Sequence, residues 1–322
     1  MDWQTLRQRL GMGGQRSSAS FVMPKVVFEL EPDFVAAARL DGSSRRVRRM
    51  GVRELEAGSL EPLPDRPNLS RDAAIRRTIT EVAGSIGNGS GRVGLILPDA
   101  SVRVAVLRFE TLPENRKEAE ALVRWRMREI LPFPSEEARV CYQVMLRESK
   151  SVELLALAVR SSVQAEYEAA LEGINGGAAL ILPATVALLP LLSGDLAASQ
   201  LLVHVCSGTV TTVVVAEGRV RFWRSRSFGR PSPEENLANV ASEVARVLAT
   251  CRDHMGIEIG RVWLCVRPPG KLGLSEDIAR ALGREAHLLS AGPGHAVTLP
   301  PAEQELFNRF GLTFSGLIAN LG

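Results

Sequence analysis

The sequence lacks the signatures by which most enzymes and membrane proteins are recognised. Its four cysteines, Cys141, Cys206, Cys251 and Cys265, are scattered and form no CxxC pair. That argues against a structural zinc site or a thioredoxin-like redox centre. Three of them sit in apolar surroundings, the pattern of reduced, buried thiols in a cytosolic protein. No apolar run reaches the roughly 20 residues that a membrane span needs. The opening MDWQTLRQRL has no signal-peptide core. Neither sign of charge is in excess: 39 Lys+Arg against 36 Asp+Glu leave a net of +3. No global field therefore draws in nucleic acid. A Walker loop, a serine elbow, HExxH and the dinucleotide glycine set are absent. Gly11-Met12-Gly13-Gly14 follows no apolar strand, and His254, His287 and His295 have no metal-ligand spacing. What remains is a chain of 322 residues, 45% hydrophobic, long enough for two domains with a large core.

The stretch Gly91 to Val144 organises the chain. Val93 to Leu97 is an apolar run stopped by Pro98-Asp99, and Val102 to Phe109 is rich in β-branched residues. A turn between them predicts two neighbouring strands. A helix follows, with Glu114 and Glu118 supplying acidic charge to its first turn. Ala119, Leu122, Val123, Met127, Ile130 and Leu131 make one apolar stripe, and Arg124 and Arg128 point away from it. Pro132 and Pro134 end the helix. Extended runs at Arg139 to Leu146 and Val152 to Arg160 complete a strand-strand-helix-strand-strand unit. Trp125 lies on the flank of the stripe, beside Arg124, Arg128 and the rigid corner Pro132-Phe133-Pro134. It packs at a subdomain boundary or, with Phe133, Arg124 and Arg128, anchors a docked peptide, since Trp and Arg are enriched at binding hot spots.

Before this unit, Trp3, Leu6 and Leu10 share one face of a short helix or belong to a frayed terminus, and Gly11 to Ser20 reads as a linker. Strands are expected at Val22 to Leu30 and Phe34 to Leu40, with a turn at Asp41-Gly42. Arg45 to Arg53 carries five arginines and reads as an exposed strand edge, because no aromatic residues interleave to stack bases. Ser70 is placed to cap a helix, Arg71 to Ala83.

After the unit come a helix at Ser161 to Glu172, a strand at Ala178 to Leu182 and an apolar helix at Ala184 to Leu192. A second half then repeats the plan. Strands fall at Leu201 to Cys206, Thr209 to Ala216 and Arg219 to Ser227, with a tight turn at Glu217-Gly218. A long helix, Glu234 to Met255, shows an unbroken stripe through Val240, Val244 and Cys251. A strand at Arg261 to Val266, a helix at Leu274 to Leu282 and a last helix, Ala302 to Leu321, bent at Gly311, complete the chain.

The run LPD, then a hydrophobic strand, then ALVRWRMREILPFPSEEARVCYQV, resembles the type IV pilus assembly protein family PilM. The order of elements supports the resemblance over roughly residues 22 to 322. It implies an α/β, actin-like (ribonuclease H-like) duplicated fold, with the strand-helix unit as an extra subdomain. The implied organisation is a flexible segment 1-20, a first half from 21-97 plus 161-198, an inserted subdomain 98-160, and a shortened second half 199-322.

Relatives of this kind hold ATP and magnesium between the halves on glycine turns. Here the turns depart from that pattern. Glu31-Pro32-Asp33 replaces the first, where proline removes an amide donor and two carboxylates repel phosphate. VHVCSGTVTT replaces the second, with His204 near the expected acid and only Ser207, Gly208 and Thr209 left as a residual anion turn. His204 and Cys206 share a strand face but have no third group to make a nucleophilic dyad. Pro268-Pro269 stands where adenine-binding glycines are expected, and a pocket-lining segment before Glu234 is missing.

The resemblance therefore implies a scaffold without cofactor, metal or ATPase activity. It would sit at the inner face of the inner membrane and bind the cytoplasmic tail of a bitopic PilN-like protein, with pilus motor ATPases as further partners. An active ATPase of the same fold, a type II secretion cytoplasmic domain and a nucleic-acid module resting on Arg45 to Arg53 are the alternatives.

Overall fold

The computed structural model describes residues 24–41, 46–87, 91–174, 177–192, 198–229, 232–267, 274–283, 285–291 and 299–319. The expected N-terminal helix and linker, the Asp41-Gly42 turn, Arg45, Pro268-Pro269 and His295 lie outside them or at their margin. The chain opens with β1 (Val26–Glu31), β2 (Phe34–Asp41), β3 (Arg46–Glu54), α1 (Asp72–Ile86) and β4 (Val93–Leu97). Next come β5 (Arg103–Phe109), α2 (Arg116–Met127), β6 (Ala138–Glu148), β7 (Ser151–Arg160) and α3 (Ser161–Ala170). β8 (Ala178–Pro183) and α4 (Ala184–Leu188) close the first half. The second half holds β9 (Gln200–Cys206), β10 (Thr209–Ala216), β11 (Arg219–Ser227), α5 (Pro233–Met255), β12 (Arg261–Arg267), α6 (Leu274–Leu282) and β13 (His287–Leu288). α7 (Pro301–Phe310) and α8 (Leu312–Ala319) follow.

The duplication is explicit in the strand order. The first sheet runs β3-β2-β1-β4-β8 and the second β11-β10-β9-β12-β13. In each, an antiparallel three-strand meander continues into parallel neighbours, β4 beside β1 and β12 beside β9. The period of two in a strand then sorts the side chains. Val26, Phe28 and Leu30 of β1 pack under α1 and α3, and Leu201, Val203 and Val205 of β9 pack under α5. The alternate residues, Val27 and Leu202 among them, join one core that both halves share. That shared apolar layer ties the halves together.

Several local expectations are corrected. β4 and β5 are separated by a 3-10 turn, Asp99–Ser101, and belong to different sheets. The strand-strand-helix-strand-strand order is present, but the added layer itself is the three-stranded sheet β5-β7-β6 covered by α2. α2 ends at Met127, before the prolines. Pro132 and Pro134 cannot donate to residues 128 and 130, and the chain tightens into i→i+3 bonds from Arg128 N to Trp125 O and from Ile130 N to Met127 O. Asn115 caps its start, and Glu118 supplies acidic charge to its first turn as expected, while Glu114 precedes the cap. Ser70 caps nothing. Arg71 holds the N-cap position of α1 without a side-chain bond, and Ser70 N donates to Ser59 O instead.

β3 is the outer strand of its sheet, as its arginines suggest, but its edge is partly covered. Glu303 of α7 accepts from Met50 N at 2.8 Å and from Arg49 at 2.8 Å. α8 packs on α4, and the expected bend falls at Gly311, between α7 and α8. α5 opens with a capping box, Ser232 with Glu235, and closes at Gly256 in the left-handed region.

Candidate functional site

The period of two also fixes what faces the cleft between the halves. On β1 the residues alternating with Val26, Phe28 and Leu30 are Val27, Glu29 and Glu31. On β9 they are Leu202, His204 and Cys206, and on β12 Trp263, Cys265 and Arg267. Glu29, Glu31, His204, Cys206 and Arg267 are all buried. These polar residues thus converge on one inter-half plane.

The two hairpin turns meet there. Pro32-Asp33 connects β1 to β2, and Ser207-Gly208 connects β9 to β10. Ser207 and Gly208 have φ of 46° and 77°, as a two-residue type I′ turn requires. Glu31 and Cys206 line the same small space across the cleft. Burial and then the nearby Glu29 carboxylate push Glu31 well above the usual carboxylate range, which favours its protonated form. Burial, followed by Glu31, pushes the Cys206 thiol up as well, so it is a poor nucleophile at neutral pH.

A second link is ionic. Arg267 donates to both Glu29 oxygens, at 2.5 and 2.6 Å, and to Phe310 O at 3.0 Å. Thr313 Oγ1 donates to Glu29 at 2.7 Å, and the guanidinium lies 5.6 Å from the Phe34 ring centroid. Burial works against the Arg267 charge, but the Glu29 carboxylate outweighs it and raises the Arg267 pKa.

A third cluster lies beside them. Asp99 accepts from Thr185 N at 3.0 Å and from the Thr185 hydroxyl. His204 Nδ1 lies 2.8 Å from Thr185 Oγ1 and 3.1 Å from Asp99 Oδ2. Both are acceptors, so Nδ1 carries the proton. Burial pushes Asp99 up, yet the hydrogen bonds from His204 and Thr185 more than offset it and lower its pKa. Asp99 is the third group that the His204 and Cys206 pair lacked in sequence. It orients His204 Nδ1, while Nε2 and Glu31 Oε1 are buried without hydrogen-bond partners. The space enclosed by these residues with Pro32, Pro62, Pro98 and Thr209 is about 10 Å³, which holds about one water. No group of three His, Cys, Asp or Glu among the described residues is arranged to hold a metal ion.

A larger hollow of about 340 Å³ lies beside the added layer. Its apolar wall includes Leu97, Val102, Leu157, Ile181 and Leu182, and Arg92, Arg139, Gln164 and Glu168 supply polar groups. β8 and β6, the outer strands of their sheets, border it with residues 178–183 and 139–141. Glu153 of β7 joins this layer to the second half, 3.0 Å from Arg219 of β11 and 3.1 Å from Arg108.

The sequence-predicted partner residues fall elsewhere on the layer. Trp125 is half-exposed on the outer side of α2 with the Arg128 guanidinium 4.7 Å over its ring. Arg124 is intermediate in exposure, and Phe133 packs against the core beneath α2. None of the four lines the hollow. Sequence reasoning missed Glu29, Asp99, Thr185 and Arg267. The signal for Glu29 and Arg267 was an isolated charge at an inward position of an apolar strand; Asp99 and Thr185 gave none.

No family model and no curated protein matches this sequence. Solved structures do. A chain of the PilM-PilN type IV pilus biogenesis complex superposes with a TM-score of 0.78 at 15% identity, over 93% of this chain and 99% of its own. A Bacteroides thetaiotaomicron VPI-5482 protein with actin-like ATPase fold and unknown function gives 0.54 at 10% identity, over 95% and 99%. The cytoplasmic domain of EpsL, an inner membrane component of the type II secretion system of Vibrio cholerae, gives 0.48 at 9% identity, over 91% and 94%. The chain has the duplicated actin-like fold. It shares that plan, over 93% of its length, with a chain of the PilM-PilN complex.

Proposed function

We propose that this protein is a cytoplasmic scaffold of a type IV pilus or related envelope assembly machine. It grips the cytoplasmic tail of a bitopic, PilN-like inner-membrane protein and works without nucleotide. The observation that carries this reading is the hollow beside the added layer, in a chain whose fold is shared with a chain of the PilM-PilN complex. Its apolar wall suits a short apolar segment, and its outer strands offer backbone groups to a chain in extended conformation. Among the described residues no helix is long and apolar enough to cross a membrane; under this reading the partner's tail brings the chain to the membrane. Pilus motor ATPases are further partners under this reading.

The cleft supports the second part. A polyphosphate between the hairpin turns would meet Glu29, Glu31 and Asp99. Arg267, buried in the same cleft, is already committed to Glu29. Glu31 and Cys206, at the two turns, line a space of only about 10 Å³.

The test is titration of the synthetic cytoplasmic tail of the PilN-like protein from the same organism into the full chain. Ala179→Trp, which fills the hollow from β8, abolishes capture if the hollow holds the tail. Undiminished capture by a folded Ala179→Trp variant contradicts the assignment.

A further inference from the structure

α2 buries Ala119, Val123 and Met127 against its own sheet. Its principal contacts are with β6, β7 and the turn Ser135–Glu137 of the same layer. Trp125 on its outward side is 50% exposed, and Ile130, in the turn beyond Met127, is 44% exposed. Leu288 apart, they are the large hydrophobic residues left exposed in the described structure. Pro132 and Pro134 are exposed immediately beyond them.

Arg124, Arg126 and Arg128, with one carboxylate, Glu129, stand beside these residues in the chain. Arg128 lies over the Trp125 ring, and neither Arg124 nor Arg128 forms an ion pair with a described residue. Arg126 is 3.2 Å from Glu129, at an exposed position where such a pair is weak.

The shape of this face separates two kinds of partner. A bound peptide needs a concave site, and the hollow, at the β6 edge of the sheet, is lined by none of these residues. The outer side of α2 is a convex helix surface ending in a proline-bounded corner. An exposed tryptophan and isoleucine with guanidinium groups beside them match a flat apolar–anionic boundary. There the ring sits at headgroup level and the arginines reach phosphates.

We infer that the outer face of α2 with the turn beyond it, carrying Trp125, Arg124, Arg128 and Ile130, docks on an anionic lipid bilayer. The inference rests on the proposed function only in that tail capture would bring the layer within reach of the membrane. Trp125 seats in the interfacial region while Arg124 and Arg128 pair with lipid phosphates. Each arginine near such a surface adds about 1 kcal/mol, so the two together set a binding difference of more than about tenfold between anionic and neutral vesicles.

The experiment is sedimentation of the full chain with phosphatidylcholine vesicles, with and without about one third phosphatidylglycerol, in the absence of any tail peptide. Binding to the anionic vesicles at least about tenfold above the neutral ones is expected. It should fall at least about fivefold in Trp125→Ser and in Arg124→Gln/Arg128→Gln, with circular dichroism unchanged. Both variants should still capture the tail, which separates failure of this inference from failure of the proposed function. Three results overturn it: no preference for anionic vesicles, undiminished binding by both variants, or loss of binding through Trp3→Ser instead of Trp125→Ser.

Discussion

Arg267→Met tests whether the two halves are clamped by their buried ion pair. The substitution keeps much of the apolar stem and removes the guanidinium. It leaves Glu29, fully buried, with only the Thr313 hydroxyl in place of two donors at 2.5 and 2.6 Å. It also orphans Phe310 O, which accepts from Arg267 at 3.0 Å. Removing one partner of a buried pair costs about 3–5 kcal/mol, because the remaining charge is uncompensated. If the chain unfolds as one unit of this length, an entropy near 2.1 cal/mol/K per residue converts that loss to a fall of roughly 4–7 °C in Tm. Urea unfolding and calorimetry of wild type, Arg267→Met and the double variant Glu29→Leu/Arg267→Met measure it. The double variant should recover most of the loss, since apolar replacement of both partners removes the uncompensated charge. A single-variant loss below about 1 kcal/mol, or a double variant as unstable as the single, would refute the clamp.

Three further outcomes follow from the same structure. The folded protein holds Glu31 well above its ordinary range, so it binds more protons than the unfolded chain. Its stability therefore falls as pH rises upward from the ordinary glutamate value of about 4.3. Glu31→Gln removes that fall, and its stability gain over wild type should widen between about pH 4 and 8 in urea titrations; a constant difference contradicts the burial argument. Val244→Asp places a carboxylate on the fully buried face of α5. It should cost more than about 4 kcal/mol and leave the second half unfolded by hydrogen exchange; an unchanged Tm would remove α5 from the core. A Cβ on Gly316 would lie 1.8 Å from Ala187 O, so Gly316→Ala should lower stability by about 1–3 kcal/mol as α8 is forced off α4; a thermal scan showing no loss refutes that close approach.

The fold was legible in the sequence wherever a single period dominates. The stripe through Val240, Val244 and Cys251 marked α5, and Thr209 to Ala216 and Arg219 to Ser227 matched their strands end for end. Partition between sheets was not legible. Val93 to Leu97 and Arg103 to Phe109 are both apolar runs flanking a short turn, and only long-range pairing sends one to β1 and the other to β7. The end of α2 was misplaced because Ile130 and Leu131 continue the helical spacing after the prolines have already drawn the chain out of the helix. The cleft was half legible. Loss of the glycine turns stands in the sequence at Glu31-Pro32 and His204, but the partners that bury those residues come from distant positions. Asp99 and Thr185 meet His204 across 105 and 19 residues, and Glu29 meets Arg267 across 238. The hollow beside the added layer is formed by two strand edges that no local pattern joins.

Calorimetric titration of the PilN-like tail into the full chain, with and without about 1 mM Mg-ATP, tests the central claim most directly. The account predicts capture of the tail in the absence of nucleotide, an unchanged affinity when Mg-ATP is present, and no heat from Mg-ATP alone. Tail capture that requires Mg-ATP, or Mg-ATP binding tighter than about 100 μM, roughly 5 to 6 kcal/mol, would contradict it.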